Sequence, residues 1–150
     1  MPSSYTNLKY HLVFGTKLRQ ALITPELEER AYSYLGGIVS KLGGVAIEIN
    51  GMPDHVHLLL SLHPTTAVAN AAKAMKGGTS KWINEQKLID ATFGWQEGYA
   101  AFTVSESQTE TVRRYIRQQK EHHHTKTFEE ELEQLLSKHG IRPDKEHFRK

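Results

Sequence analysis

The sequence predicts an α+β domain, in which strands and helices are interleaved and two further helices end the chain. Three observations indicate this: short apolar runs rich in β-branched and aromatic residues, long segments with apolar residues at helical spacing, and glycine or proline turns between them. The resulting order is β-α-β-β-α-β followed by two helices. It matches the ferredoxin-like βαββαβ arrangement, an antiparallel sheet with helices on one face, here extended by C-terminal helices.

The first strand and the first helix have clear sequence signals. The run from Tyr5 to Gly15 ends in aromatic and β-branched residues, which favours a strand. Thr24 is a suitable helix N-cap, Pro25 fits the first helical position, and glutamates follow in the first turn, where the helix dipole favours acids. Apolar residues then recur at helical spacing, and Gly43-Gly44 is expected to end the helix.

A hairpin and a second helix follow. Residues 45–50 and 55–62 are expected to form strands joined by a turn over 51–54, and residues 64–66 are expected to open a helix that runs to about Gln86.

The C-terminal third begins with one more strand. Residues 100–105 are the fourth strand candidate, and a helix is predicted from about Gln108 to His124. Thr127 then caps a last, acidic helix over 127–138, because Glu130 lies three residues on and completes a capping box.

Composition excludes several kinds of protein. The chain has 150 residues, a formal charge of +2 and no cysteine, so disulfides, thiolate nucleophiles and cysteine metal sites are ruled out. Its length predicts one domain over residues 1–150, with 139–150 as a loosely held tail. No basic leader with an apolar run opens the sequence, and no stretch approaches the ~20 apolar residues of a membrane span, so we expect a soluble, cytoplasmic protein.

Basic residues concentrate in two short stretches despite the nearly neutral total. Either stretch could contact nucleic acid, and either could be an ordinary solvated helix face. The two groups are Lys73, Lys76, Lys81 and Lys87, and then Arg113, Arg114, Arg117 and Lys120.

Two histidines on the third predicted strand are candidate metal ligands. Side chains alternate along a strand, so His55 and His57 lie on one face while Val56 and Leu58 anchor the other. Two neighbouring imidazoles suit adjacent positions on one divalent metal. A pair of ordinary strand histidines explains the same pattern.

A tyrosine and a glutamine lie one helical turn apart on the penultimate predicted helix. Tyr115 and Gln119 are separated by four residues, which places their Cβ atoms about 5–6 Å apart on one helix face. The amide oxygen can complete the ligand set of a hard metal, and the phenol is then presented to whatever that metal holds. The alternative is a core aromatic beside a boundary glutamine.

Several widely spaced motifs together resemble one protein family. The chain is similar to the single-tyrosine HUH transposases of bacterial insertion sequences, the IS200-like family, and to their domesticated relatives associated with repetitive extragenic palindromes. The matching segments are residues 10–14 with Thr16-Lys17, 50–59, 76–84, 95–99, and 112–119 running into 121–123.

The resemblance implies specific roles for residues in the site. It implies that His55 and His57 are the metal-binding pair, that Gln119 is the third protein ligand and that Tyr115 is the nucleophile. The family uses Mg²⁺ or Mn²⁺, whereas two imidazoles alone suit zinc or nickel better, so the amide ligand matters for the choice of metal. It further implies cleavage and rejoining of DNA through a 5′-phosphotyrosine intermediate.

The implied substrate is single-stranded DNA with hairpin ends. The resemblance also implies a homodimer in which the tyrosine helix of one subunit can serve the histidine pair of the other. Basic residues near the expected site are the candidates for contacting the DNA backbone. They are Lys17, Arg19, Lys73, Lys76, Lys81, Arg113, Arg114 and Arg117.

Three other functions remain open at the level of sequence. A domesticated relative would process chromosomal palindromes rather than move an insertion sequence. A noncatalytic module would bind single strands on its sheet, although the expected aromatic run on the sheet strands is absent. A metal-dependent hydrolase would not need Tyr115.

Overall fold

The computed structural model describes residues 4–122 and 126–142, and it confirms the α+β arrangement. Four antiparallel strands form one sheet in the order β2-β3-β1-β4, where β1 is Lys9–Gly15, β2 is Val45–Met52, β3 is His55–Ser61 and β4 is Ala100–Val104. The helices are α1 (Pro25–Lys41), α2 (Val68–Gln86), α3 (Thr109–Arg117), α4 (Gln119–His122) and α5 (Phe128–Lys138). Within the described residues, no helix is both long and apolar enough to cross a membrane.

The main core lies between one face of the sheet and the first two helices. Leu12, Leu58 and Leu60 of the central strands are fully buried there, packed with residues such as Leu35 of α1 and Met75 of α2. Because side chains alternate along a strand, the odd-numbered residues of β1 and β3 point to the opposite face. The candidate histidines are among those odd-numbered residues.

The opposite face of the sheet is covered by the C-terminal helices. Leu59 packs with Ile116 of α3, and Val13 packs with Phe128 of α5. The ferredoxin-like arrangement by itself places helices on one face only. Instead, the candidate site lies in a layer between the sheet and α3 to α5.

The predicted helix over 108–124 is interrupted. It divides into α3 and α4 at Gln118, whose backbone leaves the helical region at φ −94° and ψ 19°. The Asn50 side-chain amide of β2 donates hydrogen bonds to the carbonyl oxygens of Ile116, at 3.0 Å, and of Arg117, at 3.1 Å, and so satisfies helix-end acceptors. Residues 123–124 of the predicted helix and residues 143–150 of the predicted tail lie outside the described part of the chain.

Other element boundaries differ from the predictions by only a few residues. β1 begins at Lys9, where pairing with the neighbouring strands starts, rather than at Tyr5. α2 begins at Val68 because the preceding residues form a turn, in which the Thr66 N–H donates to the His63 carbonyl at 2.9 Å. The Thr24 cap of α1 and the capping box of α5 are confirmed.

Candidate metal centre and nucleophile

The two histidines of β3 face the layer between the sheet and the C-terminal helices. His55 and His57 are both fully buried. Val56 and Leu58 lie on the other side of the strand in the main core, so the apolar core fixes the strand that carries the imidazoles. Buried imidazoles need polar partners, and those partners define the site.

The Nε2 atoms of both histidines converge on one carboxylate oxygen. Glu131 Oε1 lies 3.0 Å from His57 Nε2 and 3.3 Å from His55 Nε2. Gln119 Oε1 lies 3.1 Å from the same nitrogen of His55. The four side chains come from three elements, β3, α4 and α5, so only the folded chain brings them together.

Sequence reasoning missed Glu131. The acidic helix was predicted, but none of its residues was identified as part of a site. A signal was present, since Glu131 lies three residues after Phe128 and four before Leu135, on the apolar side of α5. A carboxylate in such a stripe is buried only when it is paired or bound to a cation.

The predicted nucleophile lies in the same cluster, within the same chain. The Tyr115 hydroxyl donates a hydrogen bond to Glu131 Oε2, and the Gln119 amide donates to that oxygen at 2.7 Å. The Tyr115 ring centroid is 5.9 Å from that of His57. The structure therefore brings together His55, His57, Gln119 and Tyr115, and adds Glu131.

A second layer of contacts orients the two imidazoles. Asp54 Oδ1 lies 2.7 Å from His55 Nδ1, and His11 Nε2 lies 2.8 Å from His57 Nδ1. The Phe128 ring stacks on the His55 ring at a centroid distance of 4.1 Å. Both Nε2 atoms are consequently directed at Glu131.

The ionisation of these groups reflects competition between burial and hydrogen bonding. Burial alone would raise the pKa of Glu131, but the hydrogen bonds from His55 and His57 outweigh it and hold that pKa well below its usual range. Burial alone would lower the pKa of His55, but its contacts with Asp54 and Glu131 outweigh the effect of burial, and the pKa of His55 is raised. Burial, with the Glu131 charge, raises the pKa of Tyr115 well above its ordinary value, so the phenol is protonated.

The donor atoms fit a divalent cation. One ligand atom each from His55, His57 and Glu131 lies within 4.8 Å of the others. Nitrogen and carboxylate oxygen donors of this kind hold divalent first-row metals, and the Gln119 amide oxygen next to them adds a hard donor. The residues present could therefore hold such an ion.

Half of the candidate DNA-binding residues are held by other groups in the protein. The Lys76 ammonium donates to the carbonyl oxygens of Gln96, at 2.8 Å, and Gly98, at 2.7 Å, and so fastens the loop before β4. Arg113 and Arg117 both contact Glu48 Oε1 at 3.0 Å, and Arg19 lies 3.1 Å from Glu129.

The other four candidates are exposed and form no ion pair with the described residues. Lys17 follows β1, Lys73 and Lys81 lie on α2, and Arg114 lies on α3. Arg114 belongs to a helix on the site's face of the sheet, whereas Lys73 and Lys81 do not, because α2 packs against the opposite face. The structure thus does not gather the predicted DNA-binding residues into one patch.

Comparison with known proteins identifies the class to which this fold and site belong. Residues 4–119 match the family model described as "Transposase IS200 like", so the chain belongs to the IS200-like transposase family. It is 32% identical over 117 residues to the ISDra2 transposase TnpA of Deinococcus radiodurans, covering 75% of this chain and 84% of that protein. It is 30% identical over 121 residues to the IS200 transposase of Salmonella typhimurium, covering 77% and 78%.

Solved structures show the same fold. A putative transposase from Deinococcus radiodurans superposes with a TM-score of 0.64 at 27% identity, covering 79% of this chain and 95% of that one. A REP-associated tyrosine transposase bound to a REP hairpin superposes with a TM-score of 0.60, covering 82% and 73%, and at 11% identity it shows the fold alone.

Proposed function

We propose that this transposase cleaves and rejoins single-stranded DNA by transesterification, with Tyr115 as the nucleophile. The observation that carries the proposal is the convergence of the Tyr115 hydroxyl and the two histidine Nε2 atoms on the carboxylate of Glu131. A nucleophile and a set of metal-binding donors then meet at one place, as attack on a phosphodiester requires.

The bond changes in the proposed step balance without ATP or water as the attacking group. The Tyr115 oxygen forms a bond to phosphorus, the bond from phosphorus to the 3′-oxygen breaks, and a 5′-phosphotyrosine and a 3′-hydroxyl result. The phenol proton, which Tyr115 already donates to Glu131 Oε2, is relayed through that oxygen to the departing 3′-oxygen, so Glu131 is a carboxylate again after the step. A 3′-hydroxyl of another strand end can reverse the step, which rejoins DNA.

We propose that His55, His57, Glu131 and Gln119 hold the divalent cation. Mg²⁺ or Mn²⁺ is the ion proposed, because two of these four side chains offer oxygen donors. When bound, such an ion supplies Lewis-acid polarisation of phosphate oxygens. Asp54 keeps the His55 imidazole aimed at that position.

The proposed substrate is single-stranded DNA that carries a hairpin end. Support comes from the fold shared with a transposase whose structure contains a REP hairpin. The exposed Arg114 lies one position before Tyr115, where it could contact the phosphate backbone of an entering strand. An insertion-sequence transposase is favoured over a domesticated relative, since two curated relatives at 30% identity or more belong to insertion sequences.

A covalent adduct tests the proposal. The protein is incubated with hairpin-ended single-stranded DNA and Mn²⁺, denatured, and separated by size. We expect a DNA adduct that survives denaturation, that is lost in Tyr115→Phe and that is strongly reduced in His57→Ala. Binding without an adduct would indicate a noncatalytic module, and cutting without retained DNA would indicate a hydrolase.

The same assay tests how subunits share the site. The resemblance implies a homodimer in which the tyrosine helix of one subunit can serve the other, whereas Tyr115 and Gln119 here donate hydrogen bonds to Glu131 of the same chain. We propose that Tyr115 serves its own chain. Mixing Tyr115→Phe with His57→Ala protein should then give no more adduct than His57→Ala alone, and recovery of adduct above that level would establish a site shared between subunits.

A further inference from the structure

A third histidine lies behind the metal-binding pair and is not accounted for by the proposed chemistry. His11 belongs to β1, is only 4% exposed, and pairs across the sheet with Leu59, two residues beyond His57. Its Nε2 atom is 2.8 Å from His57 Nδ1. The Phe102 ring packs edge-on against its other side at a centroid distance of 5.8 Å.

The chemistry of imidazole determines the direction of this hydrogen bond when His57 binds a cation. A neutral imidazole carries one N–H, and the nitrogen that ligates a metal cannot carry it. His57 Nε2 faces Glu131 Oε1 at 3.0 Å, so it is the ligating nitrogen, and the proton of a ligating His57 is on Nδ1. Among the described residues, His11 Nε2 lies 2.8 Å from that Nδ1, so it receives the proton and acts as the acceptor.

We infer that His11 is a positioning residue for the metal centre: it accepts the Nδ1–H of His57 and thereby fixes the tautomer that presents Nε2 to the cation. This inference rests on the proposed function, in which His57 is a ligand.

His11 and Asp54 perform the same task for different ligands. Asp54 accepts the Nδ1–H of His55 on a carboxylate that is 31% exposed. His11 instead accepts the Nδ1–H of His57 on a buried, uncharged imidazole. Outer partners of this kind commonly change metal affinity by about 10–100-fold when they are removed. A purely structural role for His11, as a space-filling ring beside Phe102, predicts no such effect.

Mn²⁺ affinity of matched variants separates these two roles. Free Mn²⁺ is measured by electron paramagnetic resonance during titration of the wild type, His11→Gln and His11→Phe. Gln retains an acceptor oxygen, whereas Phe retains a ring without an acceptor. We expect binding weakened by about 10–100-fold in His11→Phe and restored to within a few-fold of wild type in His11→Gln. His63→Phe, at an exposed histidine after β3, is the control and should bind normally.

The tautomer itself is observable in the wild type, which keeps the test independent of whether a variant folds. Long-range ¹H–¹⁵N spectra with saturating Mg²⁺ should show the His57 proton on Nδ1. A proton on Nε2, or wild-type affinity in a folded His11→Phe, would overturn the inference.

Failure of the proposed function would look different. If no DNA adduct forms while Mn²⁺ binding still depends on an acceptor at position 11, the nucleophile assignment falls and the role of His11 stands. If the wild type binds neither Mn²⁺ nor Mg²⁺, the proposed metal site and this inference fall together.

Discussion

Glu131 contacts every other member of the candidate site, so one charged side chain joins the candidate metal ligands to the candidate nucleophile, Tyr115. Its Oε1 faces the two imidazoles and its Oε2 accepts from Tyr115 and Gln119. An anionic oxygen donor strengthens the binding of a hard cation. We therefore expect Glu131→Gln, which keeps the shape but not the charge, to weaken Mn²⁺ binding by about tenfold or more.

Mn²⁺ titration of the purified variant measures this directly. Glu133→Gln provides the matched control, because Glu133 lies on the same helix, is exposed, and forms no hydrogen bond or ion pair with the described residues. Equal affinity in Glu131→Gln and wild type would show that the carboxylate is only a hydrogen-bond acceptor for the imidazoles.

Local pattern was enough to predict part of the site. The alternation of His55 and His57 is a relation within one strand. The four-residue spacing of Tyr115 and Gln119 is also local along the chain, and the two side chains still meet although the helix breaks between them at Gln118. The role of Glu131 depends instead on how α5 packs against the far face of the sheet, and no local pattern specifies that packing. The basic residues show the same limit, since ion pairing of Arg113 with Glu48 joins positions far apart in sequence.

At the level of whole elements, the contact between α1 and α2 depends on one of two adjacent glycines. A Cβ added at Gly78 would lie 2.9 Å from Ile38 Cδ1, whereas one added at Gly77 would meet nothing within 4 Å. We expect Gly77→Ala to stabilise the protein by about 1 kcal/mol through helix propensity.

The same substitution at Gly78 should not give that gain. The terminal Cδ1 of Ile38 would have to move away, and the side-chain rearrangement that this requires offsets part of the gain. Urea unfolding measures the free energy of unfolding of the two variants. Equal stabilisation by Gly77→Ala and Gly78→Ala would contradict this expectation.

The capping box makes the stability of the N-terminus of α5 dependent on pH. Hydrogen bonds from the backbone and hydroxyl of Thr127 hold the pKa of Glu130 below its ordinary value. A carboxylate whose pKa is lower in the folded state than in the unfolded state stabilises the fold. This stabilisation is complete above the unfolded-state pKa of about 4.3 and is lost as the pH falls through the folded-state pKa. Glu130→Gln should therefore lower Tm relative to wild type at pH 7, and the difference should shrink below about pH 4.

Thermal unfolding at several pH values, with Glu133→Gln as the exposed control, tests this expectation. A Tm difference that stays constant from pH 7 to pH 3 would mean that the carboxylate charge does not stabilise the cap.

Boundaries of elements were predictable where capping residues lie within the element and not where a distant side chain ends it. Thr24 and Thr127 cap their own helices, and both helices begin as expected. The helix end at Gln118 is satisfied by Asn50, which lies on β2 and is separated from Ile116 of α3 by 66 positions. Helical spacing alone therefore predicts one continuous helix where the fold makes two.

For the molecule as a whole, the sheet divides the exposed cations into two sides, and DNA that reaches Tyr115 must lie on the side of α3. Arg114 is on that side, whereas Lys73 and Lys81 project from α2, which packs on the opposite face. Neutralising a cation that contacts a phosphate removes about 0.7 from the slope of log affinity against log salt for a single strand. We expect Arg114→Gln to weaken binding and reduce that slope, and Lys73→Gln with Lys81→Gln to change neither. Fluorescence anisotropy with hairpin-ended DNA at several salt concentrations measures both quantities, and a loss confined to the α2 variants would place the bound strand on the other face, away from the histidine pair.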